Sequence, residues 1–314
     1  MDTMTVSTSL RNAPQNLLSA RRLSLIETTG PEGYALLDCG GGRKLERFGP
    51  VIVDRPERQA LWQPALSEVR WREAHAVFSA SNDDDEKGNW RKDKPVPDGW
   101  PMDVLGARVT CRLQGLWHLG LFPEQDAHWA WMVERIKAVK GRSARVLNLF
   151  GYTGAASLIA AANGAEVTHV DASKKAVTWA RENQSVSGLS EKPIRWIVDD
   201  AAKFVAREVR RERVYDVILV DPPKFGRGPN KEVWDLFDSL PGLMSNCAKL
   251  ADPKGASMVL TVYAIRASAV AFEQLVRQHF DRPGSVFDTG ELLLRPEGDD
   301  GFAVPTSLFV RWHS

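Results

Sequence analysis

The sequence predicts an α/β protein in two parts, a mostly parallel sheet in the C-terminal part and a smaller β-rich domain before it. Two observations carry this prediction. Between residues 146 and 220, short apolar runs alternate with longer helical stretches, which is typical of βαβ units in a parallel sheet. The first third of the chain instead shows short strand-like runs separated by turns rich in glycine.

The β-rich domain is expected over residues 20–125, after a flexible polar tail over residues 1–19. Residues 22–26 and 34–38 read as short strands around a hairpin-like turn, Gly30-Pro31-Glu32-Gly33. A second turn is predicted at Gly40-Gly41-Gly42.

A long exposed loop is predicted near residues 79–101, which contain an acidic run and several glycines and prolines. Residues 126–314 then form the domain with the parallel sheet.

The most informative turn follows the first strand of that sheet, Val146–Leu149, and has glycine at Gly151 and Gly154. A helix over residues 155–162 comes next, and its N-terminus offers free N–H groups to an anion. The second strand ends at Asp171, 20 residues after Gly151, about the spacing at which an acidic group reaches ribose hydroxyls. An ordinary βαβ unit without a ligand would show the same glycines.

The side chains of this turn distinguish between cofactors. A dinucleotide site needs the pattern G-x-G-x-x-G so that the backbone can approach a pyrophosphate. Phe150 and Tyr152 stand where small residues would be needed. The turn therefore favours a ligand with a carboxylate and no pyrophosphate, such as S-adenosylmethionine, over the NAD of a dehydrogenase.

Two further strands end in polar residues. Residues 194–198 lead to Asp200, which either accepts the adenine amino group, or caps the helix beginning at Ala201, or does both. Residues 215–220 lead to Asp221-Pro222-Pro223-Lys224-Phe225. Prolines end the strand and leave nearby carbonyls free, so this segment suits a planar amino or ring N–H group, with Phe225 stacked on the ring. The alternative is a rigid turn without chemistry.

Together these motifs resemble a known family. The runs are NLFGYTG, HVDASKKAVTWARENQ, VDDAAKF, VILVDPPKFGRG, GELLLRPEG and PTSLFVRW, with GLFPEQDAHW before them. The chain resembles the class I S-adenosylmethionine-dependent methyltransferases over roughly residues 110–314. Within that class it is similar to the branch with bacterial large-subunit ribosomal RNA methyltransferases that act on cytosine C5 or guanine N7. The resemblance implies a Rossmann-like, mostly parallel sheet of seven strands and an RNA substrate.

The resemblance also implies roles for particular residues. Asp171 would bind the ribose, Asp200 the adenine, and Asp221 to Phe225 would face the transferred methyl group. The other residues expected to contact the cofactor are Phe122, Gln125, Asn148, Phe150, Gly151, Tyr152, Thr153, Gly154, Ala172 and Ala201.

One departure from that branch concerns cysteine. Its cytosine-C5 enzymes use a cysteine nucleophile after the fifth strand, where this chain reads ASMVLTVY followed by AIRAS. A thiolate cannot be replaced by Tyr or Ser without an activating base. Cys39, Cys111 and Cys247 lie elsewhere and are expected to be small core residues. A nitrogen acceptor is therefore favoured over C5.

Composition supports a soluble enzyme but not a particular substrate. The 41 basic and 40 acidic residues give a net charge of +1, whereas proteins that bind ribosomal RNA usually carry a basic face. Local patches at Lys137–Arg145 and Arg207–Arg213, and stacking by Trp90, Trp100 or Trp117, remain hypotheses.

No zinc-type spacing, signal peptide or long apolar run is apparent, which favours a cytoplasmic protein without a metal or membrane partner. The oligomeric state is left open. A methyltransferase of a protein or small molecule, and a non-catalytic RNA-binding module, are the alternatives.

Overall fold

The structure, a computed structural model, describes residues 22–80, 88–263, 265–298 and 301–314. The predicted tail over residues 1–19 lies outside these ranges, as does the acidic part of the predicted loop, residues 81–87.

Strands and helices follow one another along the chain. The strands are β1 (Ser24–Thr28), β2 (Tyr34–Gly40), β3 (Arg43–Phe48), β4 (Val51–Pro56), β5 (Ala76–Ala80), β6 (Gly88–Lys92), β7 (Trp100–Val104), β8 (Ala107–Cys111), β9 (Arg145–Leu149), β10 (Glu166–Asp171), β11 (Ile194–Val198), β12 (Val217–Val220), β13 (Phe225–Arg227), β14 (Val233–Asp235), β15 (Ser257–Tyr263), β16 (Val286–Leu294) and β17 (Val304–His313). The helices are α1 (Glu68–Trp71), α2 (Asp126–Ala138), α3 (Ala155–Ala162), α4 (Lys174–Val186), α5 (Ala201–Arg210), α6 (Leu236–Leu250) and α7 (Ala269–Phe280), and a 3-10 turn, Pro123–Gln125, precedes α2.

The large sheet has the order β1-β16-β17-β15-β12-β9-β10-β11. Strands β9, β10, β11, β12 and β15 run parallel, and β17 is antiparallel to both of its neighbours. The strands predicted around residues 146, 165, 194, 215 and 256 are all present, so the predicted mostly parallel α/β fold is confirmed.

The sheet contains one strand more than the seven expected, and this strand corrects a prediction. Residues 22–26 do not form a hairpin with residues 34–38. Instead β1 pairs in parallel with β16, Ser24 opposite Gly290, and so covers an edge whose N–H and C=O groups would otherwise lack partners. Strand β2 pairs with β3, and the predicted turn at Gly40–Gly42 joins those two strands.

The predicted exposed loop over residues 79–101 is also partly wrong. It contains β6 and the start of β7. Trp90 packs edge-on against Phe78, with ring centroids 5.1 Å apart, and Trp100 is only 3% exposed. The acidic run that indicated a loop lies within residues 81–87. Trp90 is partly buried against the core and Trp100 lies within it, because tryptophan carries a large apolar surface.

Local sequence accounts for the elements around the sheet's carboxyl edge. Strand β12 is buried along its whole length, as expected for parallel strands covered by helices on both faces. The side chain of Ser173 accepts a hydrogen bond from the Ala176 N–H and caps α4. Alanines let α3 pack closely, and its Ala160 and Ala161 are fully buried.

The N-terminal part consists of the five-stranded sheet β2-β3-β4-β5-β6 and the hairpin β7–β8. The hairpin packs on α3 and α4, where Trp179 Nε1 donates to the Thr110 carbonyl at 3.1 Å. One hydrophobic core therefore runs through both parts of the chain, from Leu36 and Phe48 to Val146 and Val217. The boundary near residue 125 stays a prediction.

Candidate functional site

A cavity of about 1070 Å³ lies at the carboxyl ends of β9, β10, β12 and β15. Its far wall comes from the N-terminal sheet, through Pro56 and Phe78. In a parallel α/β sheet this edge is where ligands bind. The predicted site residues that line the cavity are Phe122, Gln125, Asn148, Phe150, Gly151, Tyr152, Thr153, Asp171, Ala172, Asp200, Ala201, Asp221, Pro222, Pro223, Lys224 and Phe225. Gly154 does not line it, and instead occupies the N-cap of α3.

The turn after β9 places two bulky residues, as well as a glycine, in the left-handed region of backbone conformation. Phe150 and Tyr152 have φ angles of 57° and 49°, in the left-handed region, and Gly154 has 84°. Gly151 serves a different purpose, because a Cβ there would lie 2.4 Å from Cε1 of His169. The two bulky residues thus adopt the strained geometry, and the glycine provides room for the strand beside it.

Asp171 holds this turn in place. Its Oδ2 accepts a hydrogen bond from the Tyr152 N–H at 2.9 Å, and its Oδ1 accepts one from the Ser173 N–H at 2.7 Å. Burial raises the pKa of the Asp171 carboxyl, and the two N–H donors counter part of that rise. The residue predicted to bind ribose is therefore also a structural part of the loop.

A buried polar chain lies beneath the turn. Asn148 Nδ2 donates to Ser157 Oγ at 3.0 Å, and Ser157 Oγ lies 3.0 Å from His169 Nδ1. Burial lowers the pKa of His169 to about 3, so its ring is neutral. Asn148, predicted as a cofactor contact, thereby ties β9 to α3 and β10.

The turn is also anchored to the segment before α2. Thr153 Oγ1 donates to the Gly120 carbonyl at 2.6 Å, and the rings of Phe122 and Tyr152 lie 5.7 Å apart. The structure thus brings the predicted residue Phe122 onto the turn, although they are far apart in sequence.

Asp200 occupies the N-cap of α5, where its Oδ1 accepts a hydrogen bond from the Lys203 N–H at 2.9 Å. The predicted cap is confirmed. Among the hydrogen bonds found in the described ranges, the Asp200 side chain uses only this one oxygen, which leaves Oδ2 for a ligand.

Asp221 follows β12 and is half-buried. Gln125 Nε2 donates to its Oδ2 at 3.2 Å. Burial, and then the nearby Glu124, raise the pKa of Asp221 to about 7. Glu124 lines the same cavity with 5% exposure, and burial raises its pKa as well. Two carboxyl groups therefore share this end of the cavity.

The proline segment is partly engaged within the protein. Trp234 Nε1 donates to the Pro223 carbonyl at 2.7 Å. The expectation that this carbonyl is free was therefore wrong. Trp234 also packs on Phe150, with centroids 4.8 Å apart. The buried indole holds the small hairpin β13–β14, which starts at Phe225, at the mouth of the cavity. The Phe225 ring is 62% exposed, with Lys224 Nζ 5.1 Å from its centroid.

Aromatic rings also line the cavity. Trp117 and Tyr263 line the cavity and lie 6.3 Å apart, and His118 connects Trp117 to Phe122. Of the three tryptophans considered for base stacking, Trp117 alone lines the cavity. Trp100 is buried, and the Trp90 indole donates to the Leu116 carbonyl.

All three cysteines belong to the described residues, and each is buried. None lines the cavity. Burial raises the pKa of the Cys39 thiol to about 11 and that of the Cys111 thiol to about 12. The pKa of Cys247 is raised by the same cause. These thiols are small core residues, as predicted, and lack the thiolate character of a nucleophile.

The two predicted basic patches do not lie at the cavity. Arg142 and Arg145 are at the opposite edge of the sheet, where they bind Asp216 and Asp252. Arg211 follows α5 at that same edge and pairs with Glu208. Arg142, Arg145 and Arg211 therefore form ion pairs within the protein.

Within the described part of the chain, no group of three or more His, Cys, Asp or Glu side chains is arranged to hold a metal ion. A search of the same residues finds no helix of the length and apolar character needed to span a membrane.

Comparison with known proteins identifies the family. The crystal structure of the SAM-dependent methyltransferase from Agrobacterium tumefaciens is 47% identical, with a TM-score of 0.87. The match covers 92% of this chain and 93% of that one. The chain belongs to the SAM-dependent methyltransferases. Its cofactor is S-adenosylmethionine, and the cavity fits this ligand in size and in offering carboxylates at the ends of adjacent strands.

Other relatives of this methyltransferase match its fold or only a part of its sequence. The structure of SMU.776 complexed with SAH has a TM-score of 0.69, covering 91% of this chain and 76% of that one, and at 17% identity it supports the fold alone. The ribosomal RNA large subunit methyltransferase K/L of Shewanella baltica is 35% identical over 154 residues, 48% of this chain. The chain spans about a fifth (20%) of the length of that relative. A family model described as conserved hypothetical protein 95 matches residues 127–246.

Glu124, Tyr263 and Trp234 are among the cavity residues of this methyltransferase that sequence reasoning did not assign to the site. Glu124 lies between the predicted residues Phe122 and Gln125, and this proximity was a usable signal. Tyr263 ends β15 at the ligand-binding edge. Trp234 had no signal in the sequence, since its position depends on the hairpin β13–β14.

Proposed function

We propose that this methyltransferase transfers a methyl group to a nitrogen atom of a base in RNA, with ribosomal RNA as the first candidate. The single observation that carries the nitrogen acceptor is the composition of the cavity lining, which contains the Asp221 carboxylate and no thiol. A carboxylate accepts an N–H group and its proton, whereas carbon methylation in the C5 manner needs a thiolate.

The order of strands supports a division of the cavity. Asp171 ends β10, and Asp221 follows β12, two strands away across β9. Neighbouring strands lie about 4.8 Å apart, so the strand ends that carry these two residues are roughly 10 Å apart across the sheet. We assign Asp171 and Asp200 to the adenosine part of the methyl donor, and Asp221 to the acceptor beyond the methyl group.

The methyl donor supplies an activated methyl group on a sulfonium sulfur. The acceptor nitrogen forms the new N–CH₃ bond with its lone pair while the S–CH₃ bond breaks and sulfur keeps that electron pair. Asp221 accepts the N–H hydrogen bond and then the proton, and Gln125 keeps the carboxylate in position. The Pro222 carbonyl is the remaining proline carbonyl for a second N–H. Most of the acceleration comes from this positioning.

An RNA substrate is supported by two features. The curated relatives are ribosomal RNA methyltransferases by name. The mouth of the cavity also carries an exposed aromatic ring and exposed basic side chains, which suit bases and phosphates, namely Lys224, Phe225, Arg227 and Lys231. The N-terminal sheet would then serve as the wall that receives the base.

The test is nucleoside mass spectrometry of ribosomal RNA from cells with and without the gene, followed by methylation of the RNA from the deletion strain by purified protein. We expect one N-methylated nucleoside to disappear and to be restored. Loss of 5-methylcytosine instead would overturn the nitrogen acceptor. Unchanged RNA, with a methylated protein or small molecule found in its place, would overturn the RNA substrate.

A further inference from the structure

We propose that Trp117 and Tyr263 form an aromatic corner that receives the base to be methylated. This inference rests on the proposed function and deepens it, because it assigns the part of the cavity that favours a flat acceptor. The planes of the two rings meet at 66°, and their centroids are 6.3 Å apart. A base that stacks on the face of one ring therefore meets the other ring edge to face, and aromatic rings favour both arrangements.

The register of the strands places Tyr263 beyond Asp221 as counted from Asp171. The sheet has the order β10-β9-β12-β15, with Asp171 at the end of β10. Leu219 of β12 lies opposite Val259 of β15, and both line the cavity. Side chains alternate along a strand, so Asp221 and Tyr263, which also line the cavity, continue these two rows. Tyr263 is thus on the side of the cavity that we assign to the acceptor.

A row of rings connects this corner with the turn after β9. The order along the row is Tyr263, Trp117, His118, Phe122 and Tyr152, with neighbouring centroids 4.8–6.3 Å apart. All five residues line the cavity. The indole N–H of Trp117 donates to Nε2 of His118 at 2.9 Å, within the row itself. The row therefore extends from the predicted cofactor contacts to the end of β15.

The N-terminal sheet holds the corner in place through buried charged residues. The Tyr263 hydroxyl donates to Oε2 of Glu57 at 3.4 Å, and Glu57 pairs with Lys44 at 3.3 Å. Arg55 Nη1 donates to the carbonyl of Trp117 at 3.2 Å. Burial raises the pKa of the Tyr263 hydroxyl, so this group stays protonated and remains a donor. The polar groups of the corner are engaged within the protein, and its rings offer apolar surface to a ligand.

The corner and Asp221 fit one kind of occupant. Stacking on the corner favours a flat unsaturated ring. The Asp221 carboxylate accepts an N–H group at the edge of such a ring. A nucleobase has both features, whereas the flexible aliphatic side chain of a protein substrate would gain little from stacking.

The experiment uses the full chain, S-adenosylmethionine with a labelled methyl group, and ribosomal RNA from the deletion strain. Trp117→Leu and Tyr263→Leu should each lower kcat/KM for this RNA by about ten- to a hundredfold, the range for loss of one stacked base. Tyr263→Phe keeps the ring and loses only a long hydrogen bond. Its kcat/KM should stay within about threefold of that of the natural protein.

Two measurements separate this role from a purely structural one. Affinity for S-adenosylmethionine, measured by calorimetry, should be unchanged in the three variants and also shows that they fold. Trp62→Leu is the matched control and should have a normal kcat/KM. Trp62 is also half-buried and lies edge-on to another ring, that of Phe302 at 5.6 Å, but it does not line the cavity.

The two leucine variants test the corner independently, so one of them decides the matter if the other does not fold. A normal kcat/KM in either folded variant would overturn the inference and leave the proposed function standing. Weaker binding of S-adenosylmethionine would assign the rings to the methyl donor, and an equal loss in Tyr263→Phe would assign the effect to the hydroxyl. Both results would overturn the corner. RNA left unlabelled by the natural protein would overturn the proposed function and the inference with it.

Discussion

The side-chain amide of Gln125 donates a hydrogen bond to Oδ2 of Asp221, joining two residues 96 positions apart in the chain. One belongs to the turn that leads into the methyltransferase sheet, the other to the end of its strand β12. The contact holds one carboxylate oxygen of Asp221 in place, and the other is the oxygen that we propose to bind the methyl acceptor. It also means that Asp221 is positioned before any substrate arrives, which lowers the cost of orientation at the time of reaction.

The first prediction concerns the methyl donor. Asp171→Asn should weaken binding of S-adenosylmethionine by tenfold or more, since a charge-assisted hydrogen bond is worth about 1.5–3 kcal/mol. Calorimetry measures the affinity. Glu166→Gln, at the exposed opposite end of the same strand, is the matched control and should bind normally. Equal affinities in the two variants would refute the assignment of Asp171 to the ribose.

The second prediction concerns turnover. Asp221→Ala should spare the affinity for S-adenosylmethionine and lower kcat by roughly a hundred- to a thousandfold, as for loss of one well-placed transition-state interaction. Rates at saturating donor and RNA, together with calorimetry, separate the two effects. Weak donor binding with normal turnover at saturation would place Asp221 on the wrong side of the methyl group.

The third prediction concerns stability and pH. Asp221 has a pKa of about 7 in the folded chain, against about 3.9 when unfolded, so ionising it destabilises the fold as pH rises from about 4 to 7. Asp221→Asn removes this cost. Its melting temperature should exceed that of the natural protein at pH 8, by an amount equivalent to at most a few kcal/mol, and the gain should shrink at pH 5.

A gain that is equal at both pH values would contradict this prediction. The rate of methyl transfer by the natural protein should show the matching dependence, rising as Asp221 ionises near pH 7.

The fourth prediction concerns the thiols. Replacing Cys39, Cys111 and Cys247 together by Ala should leave the methylation rate of the folded protein within a few-fold, because all three are buried outside the cavity. Stability should fall by about 1 kcal/mol for each site, because the smaller side chain packs less well. Thermal unfolding and initial rates measure both quantities. A variant that binds the donor and is folded but inactive would restore covalent C5 chemistry as the leading mechanism.

The fifth prediction concerns the hairpin β13–β14. Arg227→Ala with Lys231→Ala should raise KM for RNA about tenfold at low salt and leave kcat unchanged. It should also lower the slope of log affinity against log salt by about 0.7–0.9 for each RNA phosphate that these cations neutralise in the natural protein. Lys137→Ala with Lys140→Ala, at the far end of α2, is the control of equal charge. Equal effects of the two pairs would mean that RNA does not lie across this hairpin.

Much of the sheet's carboxyl edge could be predicted from local pattern. Apolar runs of strand length, glycines, and caps such as Ser173 and Asp200 are governed by neighbouring residues, so the strands near 146, 165 and 194 lie where expected. The hairpin expected for residues 22–26 was wrong because strand pairing depends on which edge is open elsewhere in the fold, here that of β16.

By itself, the sequence determined the α/β class, the order of the motifs and the choice of S-adenosylmethionine over a dinucleotide, since these depend on residue type and short-range spacing. Tertiary structure alone decided that Glu124 shares a cavity with Asp221, that Trp234 engages the Pro223 carbonyl, and that Trp117 rather than Trp100 faces the ligand space. Such contacts join residues that are far apart in the chain. The pKa values of these residues, and the hydrogen-bonding groups that they leave free, depend on burial, which only the packed fold creates.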